Sequence, residues 1–161
     1  MSPQKGVREL NLAETKQITE LLKKYGCRSI KLKLRLYELG NIIYGTSADN
    51  LILMKILSEN VSPTAIGLPL FLIRRSRILP LLPLGDYMVK DCENKLNLPE
   101  PLVQKILYGK SIIVKERFSY ERALLVDSYG DFLAFVFLRG EPHGTKIIPE
   151  LDIGWYLREG G

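Results

Sequence analysis

Proton transfer near neutral pH is the chemistry for which histidine is best suited, and this sequence holds a single histidine, His143. One copy is too few for a histidine-rich metal site. Its Pro-His-Gly setting lies in a polar, glycine-rich stretch, Arg139 to Thr145, which predicts a loop. Such a position is more typical of an exposed loop residue than of a general base.

Three other residue patterns could carry chemistry, and none is complete. Gly109-Lys110-Ser111 matches part of a phosphate-binding P-loop, but the upstream glycine is missing and the predicted helix precedes the motif instead of following it. The carboxylate pairs Asp127 with Asp131 and Glu150 with Asp152 fall at predicted turns, where they more often bond the backbone. We therefore expect no enzyme activity, no metal and no cofactor.

The two cysteines, Cys27 and Cys92, fit a reducing compartment, and we expect two free thiols more than a disulfide. No apolar run approaches the roughly 20 residues of a membrane span. The N-terminus lacks the apolar core of a signal peptide. The sequence therefore predicts a soluble, cytoplasmic protein without a membrane partner, or a nucleolar one if the source is a eukaryote.

Positive charge is concentrated in the first part of the chain. The net charge is +5; residues 1–90 hold 14 Lys and Arg against 7 Asp and Glu, hence +7, and residues 91–161 hold 9 against 11, hence −2. An excess of basic residues favours polyanionic partners without requiring them.

Two N-terminal segments could present this charge. Residues 30–37 alternate strictly, which predicts a strand with one apolar face and one face carrying Lys31, Lys33 and Arg35, about 7 Å apart. Arg74, Arg75 and Arg77 lie at the predicted tip of a hairpin. These six residues are a possible second basic surface, and a solvated sheet face or loop tip is the alternative reading of each segment.

Hydrophobic periodicity and turn residues predict the elements of residues 1–92. Asn11 and Glu14 form a capping box before a helix that ends at Gly26. A turn at residues 38–41 leads to the strand Ile42–Thr46, and residues 49–59 read as a buried helix. Prolines mark the strands 68–73 and 77–82 as edge or bulged strands, and 84–91 reads as a short helix.

Residues 93–161 read as strands around one short helix. That helix carries an apolar stripe from Leu102 to Leu107, begins after Glu100 and Pro101, and stops at Gly109, where a strand follows. Further strands are expected at 94–98, 122–128, 132–138 and 146–148, and a closing helical turn at 151–158.

This order of a helix, a glycine and a strand, followed by more strands, resembles the PUA domain, a small RNA-binding β-barrel. Leu107-Tyr108-Gly109 and the Asp-Ile-Gly-x-Tyr-x-Arg-like ending at residues 152–158 are similar to archaeal relatives of the ribosome-biogenesis factor nuclear import protein seven. The resemblance implies an α+β fold, in which an N-terminal antiparallel sheet with helices (1–92) precedes a C-terminal PUA-type mixed β-barrel (93–161).

The resemblance also implies which residues bind RNA. The glycine loop supplies Gly109 and Lys110, and the last strand and closing segment supply Lys146 and Arg158. We add Arg139, Lys115 and Arg117 from their charge and placement. Each lysine taken singly could instead be an ordinary solubilising surface residue.

The first functional hypothesis is a non-catalytic protein of large ribosomal subunit biogenesis that binds single-stranded precursor rRNA. The resemblance implies further contact with other ribosome-assembly or RNA-processing proteins. The alternatives are a protein-interaction scaffold, which the acidic balance of residues 91–161 favours, and an accessory subunit of an RNA-modification or RNA-processing complex.

Overall fold

The computed structural model describes residues 6–28, 34–47 and 67–152. The chain forms two compact units. The N-terminal unit comprises Met1–Thr19 and Lys31–Leu84, and the C-terminal unit comprises Glu20–Ile30 and Gly85–Gly161. The sequence-based division into an N-terminal domain, 1–92, and a PUA domain, 93–161, stays a prediction, and the helix predicted at 49–59 lies outside the described residues.

Within the described residues, the N-terminal unit contains an antiparallel sheet of five strands in sequential order. The strands are β1 (Arg8–Glu9), β2 (Arg35–Leu39), β3 (Ile42–Thr46), β4 (Leu68–Arg74) and β5 (Arg77–Pro80). Helix α1 (Leu12–Lys24) follows β1. Strand β2 ends two residues beyond the strand predicted at 30–37, whose residues 30–33 lie outside the described part of the chain, and the β2–β3 turn shortens to Gly40 and Asn41.

The prolines of this sheet lie where a missing N–H is tolerated. Pro80 is the last residue of the edge strand β5, and Pro69 pairs with Tyr44 beside a register shift in the β3–β4 ladder. The prediction of edge or bulged strands is confirmed at both positions.

The C-terminal unit contains a mixed sheet in the order β6-β8-β9-β10-β7. Its strands are β6 (Lys95–Asn97), β7 (Ile112–Val114), β8 (Arg122–Val126), β9 (Phe132–Glu141) and β10 (Gly144–Asp152). Helix α2 (Leu82–Asp91) precedes β6, and helix α3 (Glu100–Leu107) lies between β6 and β7 in the chain. Strand β6 pairs parallel with β8, and the other pairs are antiparallel. The sheet curls into a half-barrel, so the predicted α+β fold is confirmed.

The concave side of this half-barrel holds one hydrophobic core. Three alternate residues of β9, Ala134, Val136 and Leu138, enter it, and α3 closes it with Val103 and Ile106. Its other buried members are Leu96, Ile112, Val114, Ala123, Leu125 and Ile147.

The polar stretch 139–145, predicted as a loop, is instead strand on both sides of a two-residue turn at Pro142 and His143. Strand β10 also continues to Asp152, so the closing helical turn expected to begin at Leu151 is wrong for its first two residues. A register shift between Pro149 and Leu151 explains why Pro149 does not end the strand, because a bulge tolerates a residue without a backbone donor.

The expectation of free thiols is also wrong, because Cys27 and Cys92 form a disulfide. Both side chains are buried, and the two residues face each other as an isolated antiparallel bridge. Backbone bonds beside it, from the N–H of Glu93 to the Gly26 carbonyl and from the N–H of Asn94 to the Tyr25 carbonyl, hold the same two segments together. A separation of 65 residues left no local pattern from which the pairing could be read.

Helix α1 begins as the sequence predicts. The Glu14 N–H donates to the Asn11 side-chain oxygen at 2.8 Å, and the Asn11 N–H donates to the Glu14 carboxylate at 3.0 Å, which confirms the capping box. The two terminal guanidinium nitrogens of Arg8 also donate hydrogen bonds to the Glu14 carboxylate, at 2.7 and 2.8 Å. Arg8 forms a further ion pair with Glu38. The hydrogen bond from Arg8 is the main cause that lowers the pKa of Glu14 to about 2.

Replacing Glu14 by Gln should separate these two roles. Gln keeps the capping box but loses the ion pair. Because the folded-state pKa is lowered, the ion pair stabilises the protein above the unfolded pKa of about 4.3 and loses its effect as the pH falls through about 2. Since Arg8 is half exposed, we expect E14Q to lower the free energy of unfolding at pH 7 by only about 1 kcal/mol.

Urea unfolding of the wild type and of E14Q between pH 7 and pH 2 measures the difference between their free energies of unfolding. The difference should shrink steadily as the pH falls from about 4 toward 2. A difference that is independent of pH would show that the charge of Glu14 contributes nothing.

Candidate nucleic-acid interface

The glycine at the end of α3 adopts the backbone that the sequence predicts for a helix-to-strand hinge. Gly109 has φ +79°, its N–H donates to the Ile106 carbonyl at 2.8 Å, and the Lys110 N–H donates to the Lys105 carbonyl at 2.9 Å. These two bonds define a Schellman motif, in which a left-handed residue ends the helix. The motif leaves Lys105, Tyr108 and Lys110 exposed where the chain enters β7.

Strand pairing places two of the predicted RNA-binding cations side by side. Lys146 on β10 is directly opposite Arg139 on β9 and directly opposite Ile113 on β7. Directly paired residues share one face of a sheet. The flanking residues Ile112, Val114, Leu138, Thr145 and Ile147 are buried, so this row of three lies on the convex side, away from the core. Ile113 is 65% exposed there, although it is a large apolar residue.

We call Ile113, Lys146 and Arg139 the convex row. Lys110 precedes Ile113 by three residues, or about 10 Å of strand, and Lys115 follows it by two. The structure thus brings Lys146 and Arg139 together, with Lys110 and Lys115 toward opposite ends of the same edge strand.

Arg139 and Arg117 also bond within the protein. Arg139 donates to the Glu141 carboxylate at 3.0 Å, and the Arg117 guanidinium donates to the Pro142 carbonyl at 2.9 Å. Both arginines remain exposed. An exposed ion pair contributes only about 0–1 kcal/mol, so an incoming phosphate can replace Glu141 as the partner of Arg139.

In the next row of the convex side, the positive charge of Arg122 is neutralised by a carboxylate of the protein itself. Arg122 lies over the Phe137 ring, with its guanidinium carbon 4.7 Å from the ring centroid, and forms an ion pair with Glu150. Ile148 is the β10 partner of Phe137. Arg122 is therefore held by an aromatic ring and a carboxylate, whereas Lys146 in the adjacent row is flanked by Ile113 and Arg139.

A cleft that the sequence analysis missed opens beside the convex row. It has a volume of about 340 Å³, and Arg117, Phe118, Tyr120, Phe137 and Arg139 are among the residues that line it. The sequence does carry a signal here, since two cations, Lys115 and Arg117, are followed closely by two aromatic residues, Phe118 and Tyr120. Burial raises the pKa of the Tyr120 hydroxyl above its ordinary value.

The remaining predicted residues are distributed as follows. Arg35 is exposed at the start of β2, and Arg74, Arg75 and Arg77 are exposed at the β4–β5 turn. Lys31, Lys33 and Arg158 lie outside the described residues. Among the residues that the structure describes, no three His, Cys, Asp or Glu side chains are grouped to hold a metal ion. In the same part of the chain, no helix is long and apolar enough to cross a membrane.

A solved structure has a fold similar to that of this chain. No protein-family model and no curated protein matches the sequence. Among solved structures, the chain is similar to a conserved PUA domain protein from Thermoplasma acidophilum. The TM-score is 0.50 at 13% sequence identity, over 92% of this chain and 95% of that chain. The fold is therefore α+β with a PUA-like domain, as expected from the order of elements.

The turn that presents the three arginines is strained. Arg75 and Ser76 both have positive φ, 50° and 62°, and connect Arg74 to its partner Arg77 in a two-residue hairpin loop. Two such residues are typical of a type I′ turn, for which Asn-Gly is the preferred sequence. A residue with a Cβ is held in this region at a cost of roughly 1–2 kcal/mol.

Changing Arg75 and Ser76 to Asn and Gly should stabilise the protein by about 1 kcal/mol, because it relieves this cost while adding some entropy to the unfolded chain. The midpoint of urea unfolding measures the effect. The control is Ser76→Ala, which keeps the strain and should give no gain. An unchanged midpoint in the R75N/S76G variant would show that the turn is not strained.

Proposed function

We propose that this chain is a non-catalytic RNA-binding protein whose PUA-like half-barrel binds single-stranded RNA on its convex side. The observation that carries the proposal is the convex row, where two cations on paired strands stand beside an exposed isoleucine. The likeness of the fold to a PUA domain protein supports the same conclusion.

The chemistry of the row suits RNA. Single-stranded RNA offers phosphates at regular spacing and apolar base faces between them. Lys146 and Arg139 can pair with phosphates, and Ile113 offers apolar surface next to them. The Schellman loop extends this surface with Tyr108, which is 68% exposed, and Lys110.

Nearby carboxylates limit the affinity. Glu141 is bonded to Arg139, and Glu116 and Glu121 are exposed in the segment that leads to β8. These charges offset part of the positive field of Lys115, Arg117, Arg139 and Lys146. We therefore expect binding that is moderate and depends strongly on salt.

The double change K146Q/R139Q should weaken binding of a fluorescent U- or A-rich oligoribonucleotide at low salt. Each phosphate contact to a single strand contributes about 0.7 to the slope of log K against log salt, so the slope should fall by about 1.4. The matched control K23Q/K24Q changes the same net charge at two exposed positions of α1 and should leave the slope unchanged. Fluorescence anisotropy at four salt concentrations measures both quantities.

A second variant tests the same surface in the opposite direction. Glu141→Gln releases Arg139 from its ion pair and should strengthen binding several-fold, which loss of structure could not do. The proposal is wrong if neither variant differs from the wild type, or if the wild type binds no RNA in dilute buffer.

We further propose that the RNA is a precursor of large-subunit rRNA and that the protein acts with other assembly factors in the cytoplasm. The sequence resemblance at residues 107–109 and 152–158 supports this finer assignment. Sequencing of RNA cross-linked to the protein in its source cells should recover precursor rRNA above all other RNA. A predominance of tRNA or mRNA would contradict the assignment while leaving RNA binding intact.

A further inference from the structure

The cleft beside the convex row has walls fixed by the backbone. The Thr145 hydroxyl donates to the Glu116 carbonyl at 2.7 Å, and the Leu138 N–H donates to the Glu121 carbonyl at 2.8 Å. Together with the bond from Arg117 to Pro142, these contacts tie both ends of the segment 116–121 to strands β9 and β10 and their turn. The cleft is therefore formed before any ligand arrives.

Three aromatic residues, Phe118, Tyr120 and Phe137, are among those that line the cleft. The rings of Phe118 and Tyr120 have centroids 5.7 Å apart and planes inclined at 46°, and both side chains are only partly buried. Phe137 lines the cleft as well, and Arg122 lies against its ring. Since their ring surface is not fully used in the core, part of it remains for a planar ligand.

The cleft is lined by two cations and one carboxylate. Arg117 and Arg139 line it together with Glu121, and Arg139 is paired across the strands with Lys146. The volume of about 340 Å³ is at the lower end of the roughly 300–1,000 Å³ that ligand pockets occupy. Such a site suits one planar group with an attached anion better than an extended segment of polypeptide.

We propose that this cleft binds a single unstacked base of the RNA strand, while a neighbouring phosphate of the same strand binds Arg139 and Lys146. The inference rests on the proposed function and adds a position at which a base, and not only the backbone, is contacted. Stacking of bases on aromatic side chains is worth about 1–3 kcal/mol per base and differs little among the four bases.

Removal of the Tyr120 ring tests quantitatively whether a base binds in the cleft. Tyr120→Leu keeps apolar volume but removes the aromatic face, and should weaken binding of an oligouridylate roughly tenfold without changing the salt slope. Tyr120→Phe keeps the ring and should bind within about twofold of the wild type, the range we allow for loss of the hydroxyl alone. Thermal unfolding of both variants shows whether the fold is retained.

A second measurement needs no variant. An oligouridylate with one 4-thiouridine is cross-linked to the full chain by light, and the modified peptide is identified by mass spectrometry. Cross-links at residues 117–121 or 137–140 support the proposal. Cross-links confined to other residues, with Tyr120→Leu binding as tightly as the wild type, overturn it.

The outcomes separate this inference from the proposed function. RNA binding that responds to K146Q/R139Q but not to ring removal overturns the cleft and leaves the RNA surface in place. No RNA binding at low salt overturns both. If Tyr120→Leu loses a nuclease-resistant protein partner while RNA affinity is unchanged, the cleft belongs to a protein and the inference is wrong.

Discussion

The architecture of the C-terminal unit depends on one strand, β9, whose two faces are buried to different extents along its length. Ala134, Val136 and Leu138 enter the core of the half-barrel on one face. On the other face Phe135 is fully buried, with the Tyr25 ring 5.7 Å away and the Phe132 ring 4.7 Å away. Beyond Phe137 this second face is open, and Arg139 is exposed.

This asymmetry decides where a ligand can bind. The first half of β9 is covered on both sides, because the segment that carries Tyr25 is bonded to Asn94 and joined to Cys92 through Cys27. Burial also raises the pKa of Tyr25 to about 12. Only the second half of the strand leaves its convex face to solvent.

Two glycines set the geometry of the open half. The left-handed backbone of Gly109 ends α3 and starts β7 in the register that pairs Ile113 with Lys146. At Gly144, a Cβ would collide with the carbonyl oxygen of Val114. Glycine therefore allows β10 to approach the end of β7 closely, where Thr145 bonds the Glu116 carbonyl and forms one wall of the cleft.

Local patterns predicted the local structure. The capping box of Asn11 and Glu14, the hinge at Gly109 and the hairpin tip at Arg75 each depend on a few neighbouring residues, and each was readable from the sequence. The same local patterns predict a loop at 139–145, because glycine and proline usually interrupt strands. The paired strands override that tendency once β9 and β10 bond each other along their length.

What could not be predicted depends on contacts between distant residues. The disulfide joins residues 65 positions apart, and the convex row joins three strands whose register is known only after folding. The cleft required residues 117–121 to be held against 138–140 and 145, which no spacing in the sequence shows. The candidate cations were therefore named from the family resemblance or from their charge and placement, whereas their arrangement came from the sheet.

The central claim is that the open convex half of the C-terminal sheet is an RNA surface. Its most direct test is an NMR titration of the labelled chain with a short single-stranded oligoribonucleotide at low salt. The account predicts amide shifts concentrated at Ile113, Lys146, Arg139 and the segment 117–121. Shifts confined to the β4–β5 turn, or no shifts at all, would contradict it.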